Sequence, residues 1–355
     1  MAPTSASSPW ALVLGALFVC GLASAYAFAD NKPNPSRLSV QPIDIQAERI
    51  AAFDKVGIGN TKFGELEFLS GLRLSSKNRS FGGWSGLAID SDGQGFIAVS
   101  DAGTWLTGQF SYDGDRLGGV GRGKIGPLLA LNGRPLRRGR DRDAEAITFV
   151  RGSSRRGNLL IAFEQNHRIG RFKATADGPG KPTSYVMPRR PGGRMRALKG
   201  FEAISVLKGG AYDGSLVAIA ERKHDSKGRH TGWIWVKGRP RTFKLLDMGG
   251  LDITDAVALD DGGLLVLERR FRWLEGLKIR VRHIAADELK PGAVITGRVL
   301  MEAGLAQTID NLEGLAVHPH RDGGLVLTMM SDDNFNSVLQ QNLVLQFLWR
   351  RSAAS

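Results

Sequence analysis

The sequence predicts an all-β protein, namely a β-propeller of five or six blades in which four-stranded antiparallel blades surround a central channel. Three observations lead to this prediction. One pattern occurs five times, its copies begin at intervals of roughly 50 to 60 residues, and glycine is frequent, with 46 glycines in 355 residues. A single unit cannot bury its apolar face without neighbours, so repetition at this period predicts a ring or stack of similar units.

Each copy of the pattern reads as a β-hairpin. An acidic or small polar residue opens an apolar run, a glycine-containing turn follows, and a second apolar run ends on another acid. The five units are Trp84–Asp101, Ala144–Glu164, Phe201–Glu221, Thr254–Glu268 and Leu312–Asp332. Weaker strand patterns follow these hairpins, and four strands per interval is the content of a propeller blade.

The residues before the first unit divide into three parts. Residues 1–29 contain no charged side chain, an apolar run at Ala11–Ala23 and an A-x-A sequence at Ala27–Ala29, which is typical of a secretory signal peptide. Residues 30–55 are polar and contain proline, and we interpret them as an arm or linker. The propeller domain then covers residues 56–350, and the alternating segment Phe63–Leu74 predicts an outer strand that closes the last blade.

The predicted signal peptide determines the expected location and chemistry. Its apolar run is short for a membrane span, so we expect cleavage and no transmembrane segment, with an uncleaved membrane anchor as the alternative. The single cysteine, Cys20, lies in this segment. The cleaved chain would therefore contain no disulfide, no thiolate metal site and no cysteine nucleophile.

Acids at the two ends of each hairpin define the candidate site. The first and second acids are 19 residues apart in three units, 13 in the fourth, and Ser85 replaces the first acid in the remaining unit. The pairs are Glu145 with Glu164, Glu202 with Glu221, Glu313 with Asp332, and Asp255 with Glu268. Because the start and end of a hairpin lie side by side, the pairs predict a ring of carboxylates at one mouth of the channel.

Crowded carboxylates repel one another, so their pKa values rise or a cation neutralises them. Calcium binds oxygen ligands in irregular geometry, and we expect calcium or another divalent cation. The candidate metal ligands are Asp101, Glu164, Glu221, Asp255, Glu268 and Asp332, with Asp333 and Asn334 adjacent. The candidate catalytic residues are Glu145, Glu202 and Glu313. The candidate substrate-binding residues are Arg222, Lys223, Arg269, Arg270, His167 and His224. Alternatively, basic neighbours pair with these acids and only connect adjacent blades.

The formal net charge of +13 favours anionic partners, either a small anionic or ester substrate or an anionic cell-envelope surface. The sequence contains no glycine-rich phosphate loop, no dinucleotide fingerprint and no zinc-type histidine spacing. Ser85 is also not in a G-x-S-x-G sequence. We therefore expect no nucleophile elbow and no specific recognition of nucleic acid.

Several short strings occur in a recognisable order. They are FGGWSGLAID at 81–90, SDAG at 100–103, DAEAITF at 143–149, KGFEAISV at 199–206, ITDAVAL at 253–259, LLVLERRF at 264–271, NLEGLAV at 311–317 and SDDNF at 331–335. Together they resemble the family called esterase-like activity of phytase, or phytase-like domain proteins, from about Phe63 to Trp349. The resemblance implies a β-propeller of secreted bacterial proteins, periplasmic or extracellular, distantly similar to calcium-dependent propeller phytases.

Two functions are compatible with these observations. The first is an exported, cation-dependent hydrolase of phosphate or other esters that uses the rim of carboxylates. The second is a non-catalytic propeller that binds an anionic ligand, an envelope polymer or a partner protein at the same rim.

Overall fold

A computed structural model describes residues 32–57, 59–186 and 200–351. In these residues 25 β-strands form five sheets, and the helical pieces are a 3-10 turn at Pro35–Arg37 and one helical turn at Gly139–Arg142. The all-β prediction is confirmed, and the propeller has five blades. The predicted signal peptide lies outside the described residues. Within them, no helix has the length and apolar character needed to span a membrane.

In each of blades one to four, three consecutive strands of the chain form the inner part of the blade, and the first of the three is innermost. Blade one contains β5 (Trp84–Ile89), β6 (Gly95–Ser100), β7 (Thr104–Asp113) and β8 (Arg116–Pro127). Blade two contains β9 (Ala144–Ser153), β10 (Arg156–Phe163), β11 (Arg168–Thr175), β12 (Gly178–Pro179) and β13 (Ser184–Val186). Blade three contains β14 (Phe201–Val206), β15 (Leu216–His224), β16 (His230–Val236), β17 (Arg239–Leu245) and the short parallel strand β21 (Val294–Ile295). Blade four contains β18 (Asp252–Ala258), β19 (Leu264–Arg272), β20 (Gly276–Ile284) and β22 (Arg298–Ala303).

Blade five joins the first and last long strands of the described residues. Its inner strands are β23 (Leu312–Pro319), β24 (Leu325–Ser331) and β25 (Asn342–Trp349), and β4 (Leu66–Ser75) pairs antiparallel with β25. This confirms that the segment predicted at Phe63–Leu74 closes the last blade. The short strand β3 (Lys62–Phe63) pairs with β4. The ring is closed within this sheet, because the first long strand (β4) pairs with the last (β25). The edges at which these two strands meet are therefore not exposed.

The segment interpreted as an arm also belongs to the sheets. Strand β1 (Gln41–Pro42) pairs with β8 of blade one, and β2 (Gln46–Ile50) pairs with β4 of blade five. The arm therefore runs along the outside of two neighbouring blades. Its first described residue, Lys32, lies at the channel mouth beside Asp101.

The core lies between adjacent blades. Every residue of β5 and β6 is buried, as expected for strands covered on both faces. The innermost strands approach closely: a Cβ atom added to Gly314 of blade five would lie 2.9 Å from the Leu87 Cβ of blade one. Large aromatic side chains fill the space between blades, as Phe201 and Trp233 do between blades two and three. This rigid packing fixes the ends of the innermost strands around the channel.

Candidate functional site

The innermost strand of every blade has an irregularity near its start. The pairing register shifts by one residue in each case, so that a single residue is left out of the ladder. These residues are Ser85, Glu145, Glu202, Thr254 and Glu313. A β-bulge of this kind bends the strand and redirects one side chain. Five bulges at equivalent places therefore present one residue per blade at the channel mouth.

A second residue of each hairpin, at the end of its second strand, lies beside the start of the first strand. Backbone hydrogen bonds define this second position. The amide of Asp101 donates to the Gly83 carbonyl (3.1 Å), that of Glu164 to Asp143 (2.8 Å), that of Glu221 to Gly200 (3.4 Å) and that of Asp332 to Asn311 (2.9 Å). In blade four the equivalent pair is Asp252 and Arg269. The second positions are thus Asp101, Glu164, Glu221, Arg269 and Asp332.

Blade four corrects the sequence prediction. The expected pair, Asp255 and Glu268, is displaced by one residue on each strand from the pair that the register selects, Thr254 and Arg269. Asp255 instead lies between blades four and five, where its carboxylate accepts hydrogen bonds from the amides of Ala256 (2.8 Å) and Leu315 (2.7 Å). Burial raises the pKa of Asp255 well above its ordinary value, although these two hydrogen bonds oppose the shift.

Glu268 is likewise part of the interior of blade four. The Arg282 guanidinium donates to its Oε1 atom, and Arg280 Nη1 lies 3.7 Å from its Oε2 atom. The side chains of Glu268, Arg280 and Arg282 are at most 7% exposed. Because neighbouring residues in a strand point to opposite sides, Arg269 faces the mouth while Glu268 faces away from it.

The remaining acids converge. Ligand-type oxygen atoms of Asp143, Glu145 and Glu164 lie within 4.8 Å of one another, and so do those of Glu164, Glu202 and Glu221. We call these five residues, together with Asp101, Glu313 and Asp332, the acidic ring. Glu164 belongs to both triads, so blades two and three share the densest part of the ring.

The acids of the ring raise one another's pKa values. Burial, followed by the negative charges of Glu202, Asp143, Asp101 and Glu313, raises the pKa of Glu145 well above its ordinary value. Burial and the charges of Glu313 and Asp101 do the same to Asp332. Burial also raises the pKa of Glu313, despite the opposing charge of Arg269. Glu145 therefore lies close enough to acids of four different blades for their charges to act on its carboxyl.

Among the described residues, three basic side chains lie close to these acids and partly compensate their charge. Lys32 Nζ lies 2.6 Å from Asp101 Oδ2 and 3.9 Å from Asp143 Oδ1. Arg269 Nη2 lies 3.3 Å from Glu313 Oε1, and Arg269 also donates to Asn311. Arg222 Nε donates to Asp252 Oδ2 (2.9 Å) and lies 3.6 Å from Glu221 Oε1. Arg222 and Arg269, expected to bind substrate, thus contact acids at the mouth.

The other four residues expected to bind substrate are placed differently. Arg270 donates to Glu275 and to the Gly249 carbonyl on the surface of blade four. The Lys223 ammonium lies 5.6 Å from the centre of the Trp233 ring. His167 lies beside the backbone of Gly200, at the mouth. His224 packs against His230, with 4.3 Å between the ring centres.

Asp333 organises the loop next to the ring. Its Oδ1 atom accepts hydrogen bonds from the amides of Gly83 (3.0 Å) and Phe335 (3.1 Å), and its Oδ2 atom accepts one from Asn342 (2.9 Å). Asn334 next to it lies in the left-handed region, with φ of 48°. Asp333 therefore fixes this loop through hydrogen bonds from two backbone amides and from the Asn342 side chain.

A groove of about 430 Å³ opens beside Asp333, between blades five and one. Its basic side chains are Arg73, Lys77 and Arg79. Arg73 is paired with Glu48 (2.7 Å), whereas exposed Lys77 and Arg79 have no ion-pair partner in the part of the chain that the structure describes. The sequence did not single out this groove, because its residues come from a loop outside the repeated hairpins.

Sequence reasoning also missed Lys32 and Asp143. Asp143 stands two residues before the bulge residue Glu145, and polar residues occur at the corresponding place in blades four and five, Asp252 and Asn311. That recurrence is a signal that a comparison of the five units could have used. Lys32 lies outside every repeat, so only the folded arm brings it to the ring.

The fold and site define a five-bladed β-propeller with carboxylates converging at one mouth of its channel. The chain belongs to the phytase-like family, described as esterase-like activity of phytase, whose family model matches residues 79–335. A search of curated proteins found no match.

A search of solved structures found weak similarity to, among others, two chains. One is Raptor from Chaetomium thermophilum, at 12% identity and a TM-score of 0.39 over 91% of this chain. This chain spans 29% of that Raptor chain. The other is the Dos1 propeller, at 9% identity and a TM-score of 0.35 over 89% of this chain and 80% of that one.

Proposed function

We propose that this protein is an exported, cation-dependent hydrolase of phosphate or other esters, with its site at the acidic ring. Membership of the phytase-like family supports an ester hydrolase in general terms. The observation that carries the proposal is the pair of carboxylate triads that share Glu164, within 4.8 Å in each triad. Acids this close are stable as anions only with positive compensation.

The chemistry of the ring suits calcium. Its donors are carboxylate oxygens from several strands, which matches the oxygen-rich and irregular coordination that calcium accepts. Two oxygen atoms, Asp101 Oδ1 and Asp143 Oδ2, are buried with no hydrogen-bond partner among the described residues. Asp143, Glu145, Glu164, Glu202 and Glu221 would hold the ion, which would supply positive charge to polarise an ester or phosphoryl oxygen.

Other side chains would orient the substrate and move the proton. Glu313 is held by Arg269 and Asn311, and its raised pKa brings it closer to that of a general base or acid working near neutrality. Lys77 and Arg79 are basic groups in the adjoining groove that remain available to bind an anionic group of the substrate. Their availability distinguishes them from Arg222 and Arg269, which are paired with acids.

The experiment measures hydrolysis of a phosphomonoester and of a carboxyl ester by the purified protein, in EDTA and in calcium. We expect turnover that depends on calcium. Glu202→Gln removes a charged ligand of the proposed ion, so less positive charge acts on the reacting oxygen and kcat should fall by at least about a hundredfold. Glu67→Gln is the matched control, because Glu67 pairs with Arg350 on the surface away from the ring.

The outcomes separate the two functions. Stabilisation by calcium that Glu202→Gln weakens, with no turnover of any ester, would exclude the hydrolase and leave a propeller that binds anionic ligands through the same cation. If Glu67→Gln and Glu202→Gln both kept the same high turnover, the assignment of the active site to the acidic ring would be wrong.

A further inference from the structure

A second group of metal-ligating side chains lies on the mouth face of blade three. His224 ends β15, His230 begins β16, and Asp247 follows β17. One ligand-type atom from each residue lies within 4.8 Å of the other two. His224 and His230 are directly opposed in the pairing of the two strands. The backbone therefore holds two imidazoles and one carboxylate together.

The hydrogen bonding of His230 prepares it as a ligand. Its Nδ1 atom is 3.0 Å from the Glu221 carbonyl oxygen, which can only accept a hydrogen bond, so Nδ1 carries the proton. The lone pair then lies on Nε2, and this atom is buried without a hydrogen-bond partner among the described residues. Metal-bound histidines commonly donate their second ring N–H to a backbone carbonyl in this way.

The surroundings keep this imidazole neutral. Burial first, and then the neighbouring His224, lower the pKa of His230 to about 4, although Asp247 opposes the shift. The nearby cation Arg282 also lowers it; the Nη atoms of Arg282 donate to the Leu246 and Thr296 carbonyls and to Glu268. Among the described residues these contacts direct Arg282 to Glu268 and not to Asp247. One Asp247 oxygen, Oδ1, accepts the Gly250 amide (2.6 Å), which fixes the orientation of the carboxylate.

We propose that His224, His230 and Asp247 form a binding site for one transition-metal dication of the Zn²⁺ type, separate from the acidic ring. Two imidazoles and a carboxylate suit such a metal and not calcium, which takes oxygen ligands. Three protein ligands leave a coordination position open, and exposed His224 places it towards solvent.

The site connects three successive strands of blade three at the edge of the mouth. Coordination at Nε2 polarises the imidazole and strengthens the hydrogen bond from Nδ1 to the Glu221 carbonyl. Because the Glu221 side chain belongs to the acidic ring, the metal would fix one ring residue through its backbone. The proposal uses no carboxylate of the ring and does not depend on the proposed hydrolase.

The fold provides a matched control on the opposite face. Asp115, His320 and Asp322 also lie within 4.8 Å of one another. However, the His320 Nδ1 atom accepts a hydrogen bond from the Asp322 amide (3.2 Å), so the proton is on Nε2, which faces Asp115 at 3.6 Å. Neither nitrogen offers a free lone pair, and this cluster should not bind metal tightly.

The test is calorimetric titration of the EDTA-treated full chain with zinc chloride in excess calcium. We expect one Zn²⁺ per chain, and X-ray absorption of the complex should show imidazole ligands. His224→Ala removes an exposed ligand and should weaken binding by at least about tenfold, since loss of even an outer partner costs that much. Asp247→Asn, which keeps the shape and the acceptor for Gly250, should weaken it as well.

His320→Ala and Glu202→Gln should leave zinc binding unchanged, which would separate this site from the second histidine cluster and from the ring. The proposal is overturned if no zinc binds, if zinc binds equally to wild type, His224→Ala and Asp247→Asn, or if His320→Ala or Glu202→Gln abolishes binding to the same extent.

Discussion

Lys32 of the N-terminal arm and Asp101 of blade one form the closest ion pair of the described acidic ring, with 2.6 Å between Nζ and Oδ2. The arm is held in place by a hydrogen bond from Arg142 to the Pro33 carbonyl (3.4 Å). Burial opposes the charge of Lys32, but Asp101, Asp143 and Glu145 together raise its pKa above the ordinary value. The chain thus supplies a permanent cation to a site that we propose binds a second one.

Removal of this internal cation should strengthen calcium binding. Lys32→Gln leaves Asp101 and Asp143 uncompensated, so we expect calcium affinity to rise several-fold, equivalent to about 1 kcal/mol for a partly exposed pair, and the rise to shrink at high salt. Isothermal titration in low and high salt measures this. Lys124→Gln is the control, because Lys124 is about as exposed as Lys32 and forms a pair of similar length (2.7 Å) with the exposed Asp177 away from the mouth. A weaker affinity in Lys32→Gln would show that Lys32 instead supports the cation site.

The ring should make stability depend on pH in a definite direction. The folded protein holds the proton of Glu145 more tightly than the unfolded chain, whose carboxyl has its ordinary pKa of 4.5. The folded state therefore binds more protons, and the free energy of unfolding falls as pH rises above about 4.5. Without divalent cations, Glu145→Gln should become more stable relative to wild type between about pH 5 and pH 8.

Urea unfolding in EDTA measures that difference, and the comparison with the variant is essential. His230 and His318 have pKa values lowered to about 4, so they contribute stability that is lost as pH falls below 6.5. Their effect is the same in both proteins and cancels. Calcium should remove most of the difference. A constant difference across this range would mean that Glu145 is ionised normally in the fold.

The fold was predictable because the sequence pattern that produces it occurs five times. Five hairpins of similar pattern determine the five innermost strand pairs, and the alternating segment from Phe63 is equally recognisable as a closing strand. The ring was predictable only where residue type and register agree, as for Glu145, Glu202 and Glu313. In blade four the acids are one residue out of place on both strands, and a shift of one residue moves a side chain to the other face. Residue type alone cannot detect this.

The position of Lys32 could not be predicted from the sequence, for a different reason. It lies outside the periodic part of the chain, and its position follows from the pairing of β1 and β2 with the outer edges of two blades. Such edge pairing depends on the assembled ring. The same holds for His230, whose role depends on its opposition to His224 across two strands.

The buried pair of Glu268 and Arg282 should matter for stability. Arg282 is fully buried, so Arg282→Met leaves the Glu268 carboxylate without its main partner and should lower the free energy of unfolding by about 3–5 kcal/mol. The double variant Glu268→Gln with Arg282→Met removes both charges and should recover a large part of this loss. Urea unfolding of the wild type, both single variants and the double variant measures the coupling.

Arg298→Met is the control for that cycle, because Arg298 pairs with Glu65 at the surface and should contribute about 1 kcal/mol or less. If the double variant were as unstable as Arg282→Met alone, the guanidinium would act mainly through its hydrogen bonds to the Leu246 and Thr296 carbonyls and not through Glu268.

Gly83 should be required for the shape of the ring. Its φ is 68°, and an added Cβ would lie 2.4 Å from the Phe335 ring and 2.6 Å from Asp101 Oδ1. Gly114 has a similar φ of 62° in a turn with no atom within 4 Å of such a Cβ. Gly114→Ala therefore measures the backbone cost alone, about 1 kcal/mol. Gly83→Ala should cost about 1–3 kcal/mol more and weaken calcium binding, because Asp101 must move. Equal losses of stability in the two variants, with calcium affinity unchanged in Gly83→Ala, would show that the loop before β5 adapts without disturbing Asp101.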